Sequence, residues 1–325
     1  MSVWKLCSSL AAPMEAFIAL RRVSGTDYRG QAQLLGDFDR FLVEAHLNPS
    51  RLTHEITDRY QQTLARLAPL TQANRLCVLK QFSEYLARTD VLSYVPEPPC
   101  KSSMHAVHTP YIFSRSQVQA LLKAAFLLTP PGSLRPLTYV TLLGLLYSTG
   151  LRIGEARMLT LENFHAGERR LYIAAGKFHK ARWVALSESS CRALERYAER
   201  RMCRQPCAPD SPLFINERRQ PLKHVTVNHL FHDLLQHAGI PRHRDTGPRV
   251  HDLRHTFAVH RLLEWYRDGA DVNARLPWLA TYMGHVTIQS TQVYLHATPE
   301  LIEHVERRFH GFYLQHVHSL GGTQS

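Results

Sequence analysis

A guanidinium, a pair of imidazoles and a phenol fall within one stretch of this chain, residues 251–294. It opens His251-Asp252-Leu253-Arg254-His255-Thr256-Phe257-Ala258 and closes Met283-Gly284-His285, then Thr291-Gln292-Val293-Tyr294. His251 and Arg254 are three apart, so on a helix they share a face. Asp252 is off that face, while Leu253, Phe257 and Leu262 suit the buried side. Gly284 permits a tight turn just before His285, and Tyr294 follows nine residues later. An arginine fork binds two oxygens of one anion at once, imidazoles move protons, and a phenol can attack. Together they suit a phosphodiester, and it is their order and spacing, more than any one residue, that carries the signal.

The elements that must position these groups can be read from periodicity. Up to about residue 95 the chain reads as four helices without strands. Phe17 and Leu20 begin an apolar pattern, and Leu34, Leu35, Phe38, Phe41 and Leu42 continue it at three-to-four spacing. Asn48-Pro49-Ser50 breaks the chain, and Thr53 caps a helix carrying Ile56, Tyr60, Leu64 and Leu67. After Pro69, Leu76, Leu79, Phe82 and Leu86 form another stripe, leaving Arg75 and Lys80 for solvent or phosphate. From 96 to 112 the pattern stops: Pro96, Pro98, Pro99, Lys101 and Pro110 mark a basic, extended linker. The expected organisation is a helical unit at 1–95, a linker at 96–112 and a second unit at 113–325.

That second unit opens with Ser114-x-x-Gln117, a capping box. An apolar helix follows through Leu142, Leu145 and Leu146 and stops at Thr149-Gly150. Arg152 lies in the first turn of the next helix, with Glu155 three residues on. Leu171–Ala174 and Arg182–Leu186 are β-prone runs around Gly176-Lys177-Phe178-His179-Lys180, a hairpin signal. Helices at about 187–202 and 224–238 precede a basic loop, Pro241 to Arg249, and the tail from Pro299 reads as helical. The fold class is therefore mainly α with a small β-sheet or hairpin.

Composition sets the class of partner. The 325 residues carry 39 Lys+Arg against 27 Asp+Glu, a formal charge of +12, with 44% hydrophobic and 20% charged residues. That is a globular chain with a bias toward a polyanion. Six scattered cysteines argue against a disulfide scaffold and for a reducing compartment. The longest apolar run, Leu137 to Tyr147, is too short to span a bilayer. The expectation is a cytoplasmic protein with no membrane contact, associated with the bacterial nucleoid. Cys203-x-x-x-Cys207 lacks a second ligand pair, and His251 with His255 lacks a completing carboxylate, so no metal site is expected.

Thr149-Gly150-Leu151-Arg152-Ile153-Gly154-Glu155, Gly176-Lys177, His251-x-x-Arg254-His255, Gly284-His285 and Tyr294, in that order, resemble the tyrosine recombinases of phage-integrase type. The resemblance covers the second unit; the helical first unit matches that family's core-binding domain more loosely. It implies a clamp on duplex DNA and a Tyr294 nucleophile forming a 3′-phosphotyrosine. It further implies Arg152, Arg254 and His285 on the phosphate, His251 as base or positioner, and Lys177 as acid to the departing 5′ oxygen. Lys180 is the alternative acid. Glu155 would orient the site, and Arg75, Lys80, Lys101, Lys180 and Arg249 would contact DNA. The resemblance implies no metal, ATP or other cofactor. It also implies double-stranded DNA with specific sites as partner, a tetramer on that DNA exchanging C-terminal segments, and room for other recombinases or accessory proteins. Met283 stands where leucine is commoner, and the long aromatic stretch Leu263 to Leu279 is closer to transposon-encoded members. Two other readings compete: a type IB topoisomerase-like enzyme, and a silent DNA-binding protein on the same scaffold. A metal-dependent nuclease stands further off.

Overall fold

A computed structural model describes residues 5–25, 28–97, 110–174, 181–203, 207–241, 247–285 and 289–292. The chain divides into two compact units, residues 1–108 and 109–325. Most of the expected linker, 98–109, lies outside the described residues, as do the loop at 242–246 and the tail from 293.

The first unit is built from α1 (Ala11–Val23), α2 (Arg29–Glu44), α3 (His54–Thr63) and α4 (Pro69–Leu86). Thr53 caps α3, its side chain accepting from the Ile56 N–H, and Pro69 occupies the first position of α4, where its missing N–H costs nothing. Met14, Phe17, Leu35, Phe38, Leu42, Leu76, Leu79 and Phe82 form the core. Leu20, expected inside, is instead 49% exposed, because Phe17 and Ile18 already fill that face of α1. Asp39 is buried and accepts the Cys7 and Ser8 N–H groups at 2.9 Å each, tying down the segment ahead of α1.

The second unit comprises α5 (Arg115–Phe126), α6 (Leu134–Thr149), α7 (Ile153–Met158), β1 (Phe164–His165), β2 (Arg170–Ile173) and β3 (Arg182–Ala185). After these come α8 (Glu188–Met202), α9 (His224–His237), α10 (Asp252–Arg267), α11 (Val272–Met283) and α12 (Gln289–Gln292). The capping box at Ser114 and Gln117 is formed with both bonds in place. Helix α6 is central: apolar almost all round, it packs against α5, α8, α10 and α7. Each fully buried leucine on it contributes about 1.5–3 kcal/mol.

The expected hairpin forms, with β2 and β3 antiparallel in the register Leu171↔Val184 and Ile173↔Arg182. A third strand, the two-residue β1, pairs outside β2. The fold is mainly helical with one small antiparallel sheet, as the patterning indicates. Among the described residues, no helix is long and apolar enough to cross a membrane.

Candidate active site

The site is assembled where two helices end. Helix α6 stops at Gly150, in the left-handed conformation (φ +64°), and a Cβ there would lie 2.4 Å from the Phe257 ring. Only glycine fits this turn. Helix α11 stops at Gly284, also left-handed (φ +69°). There the Gly284 N–H bonds to the Thr281 carbonyl at 3.0 Å and the His285 N–H to the Ala280 carbonyl at 2.9 Å. This is a Schellman turn, and it fixes His285 one residue beyond the glycine.

A helix end leaves its last carbonyls without partners and carries partial negative charge. The Schellman turn satisfies Ala280 and Thr281, and three arginines take the next three carbonyls in succession. Arg182 Nε donates to Tyr282 O at 3.0 Å, Arg254 Nη2 to Met283 O at 2.9 Å, and Arg152 Nη2 to Gly284 O at 2.9 Å. Arg254 also donates through Nη1 to Gly150 O at 2.6 Å, so one side chain joins both helix ends. It is 2% exposed.

Glu155 is the anion of the group. Its Oε1 accepts from Arg152 Nη1 and Arg182 Nη1, each at 3.0 Å. Its Oε2 accepts from the Arg152 main-chain N–H at 3.0 Å and Arg182 Nη2 at 2.9 Å. Burial pushes this carboxyl up, but hydrogen bonding and charge from Arg182, then Arg152, hold it below the usual carboxylate range. Arg152 itself precedes α7 as its cap residue, not within its first turn as the spacing suggests.

The imidazoles sit in this positive field. His251 stands immediately ahead of α10, and its ring meets that of His255 edge to face, ring centroids 4.9 Å apart. The surrounding protein atoms, then the charges of Arg254, Arg152 and Arg249, push it down to about 4. His285 is likewise lowered to about 4, by burial and then by Arg254, Arg152 and Arg182. Its Nδ1 lies 2.6 Å from the hydroxyl of Thr291, which is fully buried on α12. At neutral pH both rings are uncharged.

The structure therefore brings Arg152, Glu155, His251, Arg254 and His285 together. Arg249 is exposed, and its main-chain N–H is held by buried Asp252 at 2.8 Å. Arg75 lies in the first unit, 2.9 Å from Asp37 and bonded to Tyr60, so part of its charge is spent internally. Lys80 lies 3.9 Å from Glu84. Lys101, Lys177, Lys180 and Tyr294 fall outside the described residues. Tyr282 offers no substitute nucleophile: its hydroxyl donates to Ala185 O at 2.8 Å, and burial pushes it up to about 12.

Two residues of the cluster carry no role in the sequence reading. Arg182 appears there only as the first residue of a β-prone run, and Thr291 only as a neighbour of Tyr294. Its place as the basic residue that opens the second β-prone run, just after Lys177 and Lys180 in sequence, was the available signal for Arg182. Among the described residues, no group of three or more His, Cys, Asp or Glu could hold a metal ion.

Residues 112–300, which contain every member of this cluster, match the phage integrase family. Over 308 residues the chain is 35% identical to y4rB of Sinorhizobium fredii, described as an integrase/recombinase, covering 93% of this chain and 97% of the relative. It is 29% identical to the tyrosine recombinase XerD of Listeria innocua, over 75% of this chain and 77% of the relative. Among solved structures, the Tn1549 transposon integrase with circular intermediate DNA is similar in fold at TM-score 0.64 and 18% identity, covering 91% of this chain and 99% of that one. The XerH recombinase on a palindromic difH substrate gives TM-score 0.63 at 19% identity, covering 92% and 84%. A likeness that runs through both units, and whose matched segment holds the whole arginine cluster, leaves one assignment: the chain belongs to the phage integrase family of tyrosine recombinases.

Proposed function

We propose that this chain is a site-specific DNA recombinase that cuts and rejoins strands through a 3′-phosphotyrosine on Tyr294, in the service of a mobile element. The observation that supports this most is the seating of Arg152 and Arg254 on adjacent carbonyls at one helix end, with two neutral imidazoles beside them. Such guanidiniums are pre-organised before substrate arrives, so little reorganisation is needed as charge gathers on the non-bridging oxygens of the phosphate.

In the reaction, the Tyr294 phenol oxygen attacks phosphorus and its proton passes to His251 or to water. A P–O bond to tyrosine forms as the P–O5′ bond breaks. Lys177 gives a proton to the departing oxygen, leaving a 3′-phosphotyrosine and a free 5′ hydroxyl. Attack by another strand's 5′ hydroxyl reverses these transfers and rejoins DNA without an outside energy source. Without substrate, burial and then the arginines keep His251 a weak base. A phosphodiester brings a negative charge among them and lifts the imidazole toward its ordinary range, so basicity arrives with the substrate. His285, its Nδ1 toward Thr291, donates from its other nitrogen to the same phosphate.

Two units on one basic chain suit a clamp around duplex DNA, with the first unit and the linker on the phosphate backbone and a tetramer joining two sites. The test is covalent trapping in chelator on nicked duplexes cut from the DNA flanking the gene. Wild type should form an adduct stable in denaturing gels, and Tyr294→Phe should bind equally but form none. An adduct persisting in Tyr294→Phe would move the nucleophile elsewhere.

A further inference from the structure

Arg182 makes three hydrogen bonds, to both oxygens of Glu155 and to Tyr282 O, and its side chain is 11% exposed. It begins β3, opposite Ile173 in β2, at the end of the strand pair nearest in sequence to Lys177. One guanidinium thereby joins the sheet to α7 and to the end of α11. Gly284 is shaped around it: a Cβ there would lie 2.7 Å from Arg182 Nη1.

Charge balance gives this contact its consequence. Paired with Arg152 alone, buried Glu155 would neutralise the guanidinium meant for the phosphate. With Arg182 on the same two oxygens, two cations share one anion, and the trio keeps a net positive charge. We propose that Arg182 is a positioning residue for the reaction, setting the register of Arg152, Gly284 and His285 while holding Glu155 back from cancelling Arg152. This rests on the reading of Arg152 as a phosphate ligand. Arg182 acts through its neighbours, its hydrogen bonds being turned inward to Glu155 and Tyr282.

The test uses the full chain and nicked duplexes from the flanking DNA, with Arg182→Lys, Arg182→Gln, Glu155→Gln and the Arg182→Gln/Glu155→Gln pair. Single-turnover adduct formation at saturating DNA is measured beside binding midpoint, melting temperature and histidine titration by NMR. Arg182→Lys keeps the charge but not the fork; it should bind like wild type and cleave about 10-fold slower or worse, since misplaced groups lose rate steeply. Arg182→Gln should fall about 100-fold, and the double variant should regain part of that loss, because the uncompensated carboxylate is gone. The His285 midpoint should rise in Arg182→Gln and stay in Arg182→Lys.

Wild-type rates in both Arg182 single variants would overturn the proposal, as would losses that merely track the unfolded fraction. If Arg182→Gln does not fold, Arg182→Lys decides alone. If wild type itself forms no adduct, the proposed function fails first. The titration then judges Arg182 separately, and an unmoved His285 in Arg182→Gln sinks it.

Discussion

Arg254 is among the largest fully buried side chains, yet it is charged. Burying a guanidinium is costly unless its donors are met, and here two are met by the carbonyls of Gly150 and Met283. A lysine cannot reach both at once. Arg254→Lys should therefore lose about 10²-fold or more in single-turnover cleavage, as when a transition-state donor is removed. A carbonyl left unsatisfied should also cost about 1–3 kcal/mol in urea denaturation. Wild-type cleavage by this variant would show that the fork is not used on the phosphate. Arg254 was legible through the short motif around it, His251-x-x-Arg254-His255, and not through its partners Gly150 and Met283, which lie 104 and 29 residues away. Arg182 stands in no such motif, and its partners Glu155 and Tyr282, 27 and 100 residues away, left no local trace. Periodicity reports which face a residue occupies, and says nothing of which distant carbonyl waits there.

At the scale of elements, the ends were read more reliably than the small pieces. The caps at Thr53 and Ser114, the stop at Gly150 and the tight turn at Gly284 follow from backbone geometry that few residues can satisfy. Strand β1 was missed because two residues carry no period. Leu20 was misplaced because an apolar residue at roughly the right spacing need not be needed inside. The two helix ends also govern the pH response. His251 and His285 have folded values of about 4, below the ordinary 6.5, so between these values the unfolded chain binds more protons. Their contribution to stability is complete above about pH 6.5 and is lost as pH falls toward 4, and Glu155, also lowered, adds to the loss further down. Thermal melts should show the second unit weakening from pH 6.5 downward. The acid limb of cleavage at limiting DNA, which reports the free enzyme, should lie near 4 and not 6.5. An acid limb at 6.5 would contradict the burial of these rings and the positive field around them.

Across the whole molecule, a charge of +12 on a chain of the phage integrase family fits DNA, a long polyanion. Binding to flanking duplexes should weaken steeply with salt. For six or more neutralised phosphates, the fall between about 50 and 200 mM is about 10³-fold or greater. A flat salt response would count against phosphate contacts as the main source of affinity. Within the second unit, the arginine cluster is tied to α6, α7, α10, α11 and β3. Most of these ties run through main-chain oxygen, at Gly150, Tyr282, Met283 and Gly284. Every amino acid supplies that oxygen. A lineage can therefore replace methionine by leucine at 283, or repack the aromatic face of α11, without disturbing the seats on which the guanidiniums rest. Divergence is thus cheap at the residues that lend only a carbonyl and dear at the two glycines and the charged side chains themselves, which lets one chemistry outlive wide drift in the sequences that carry it.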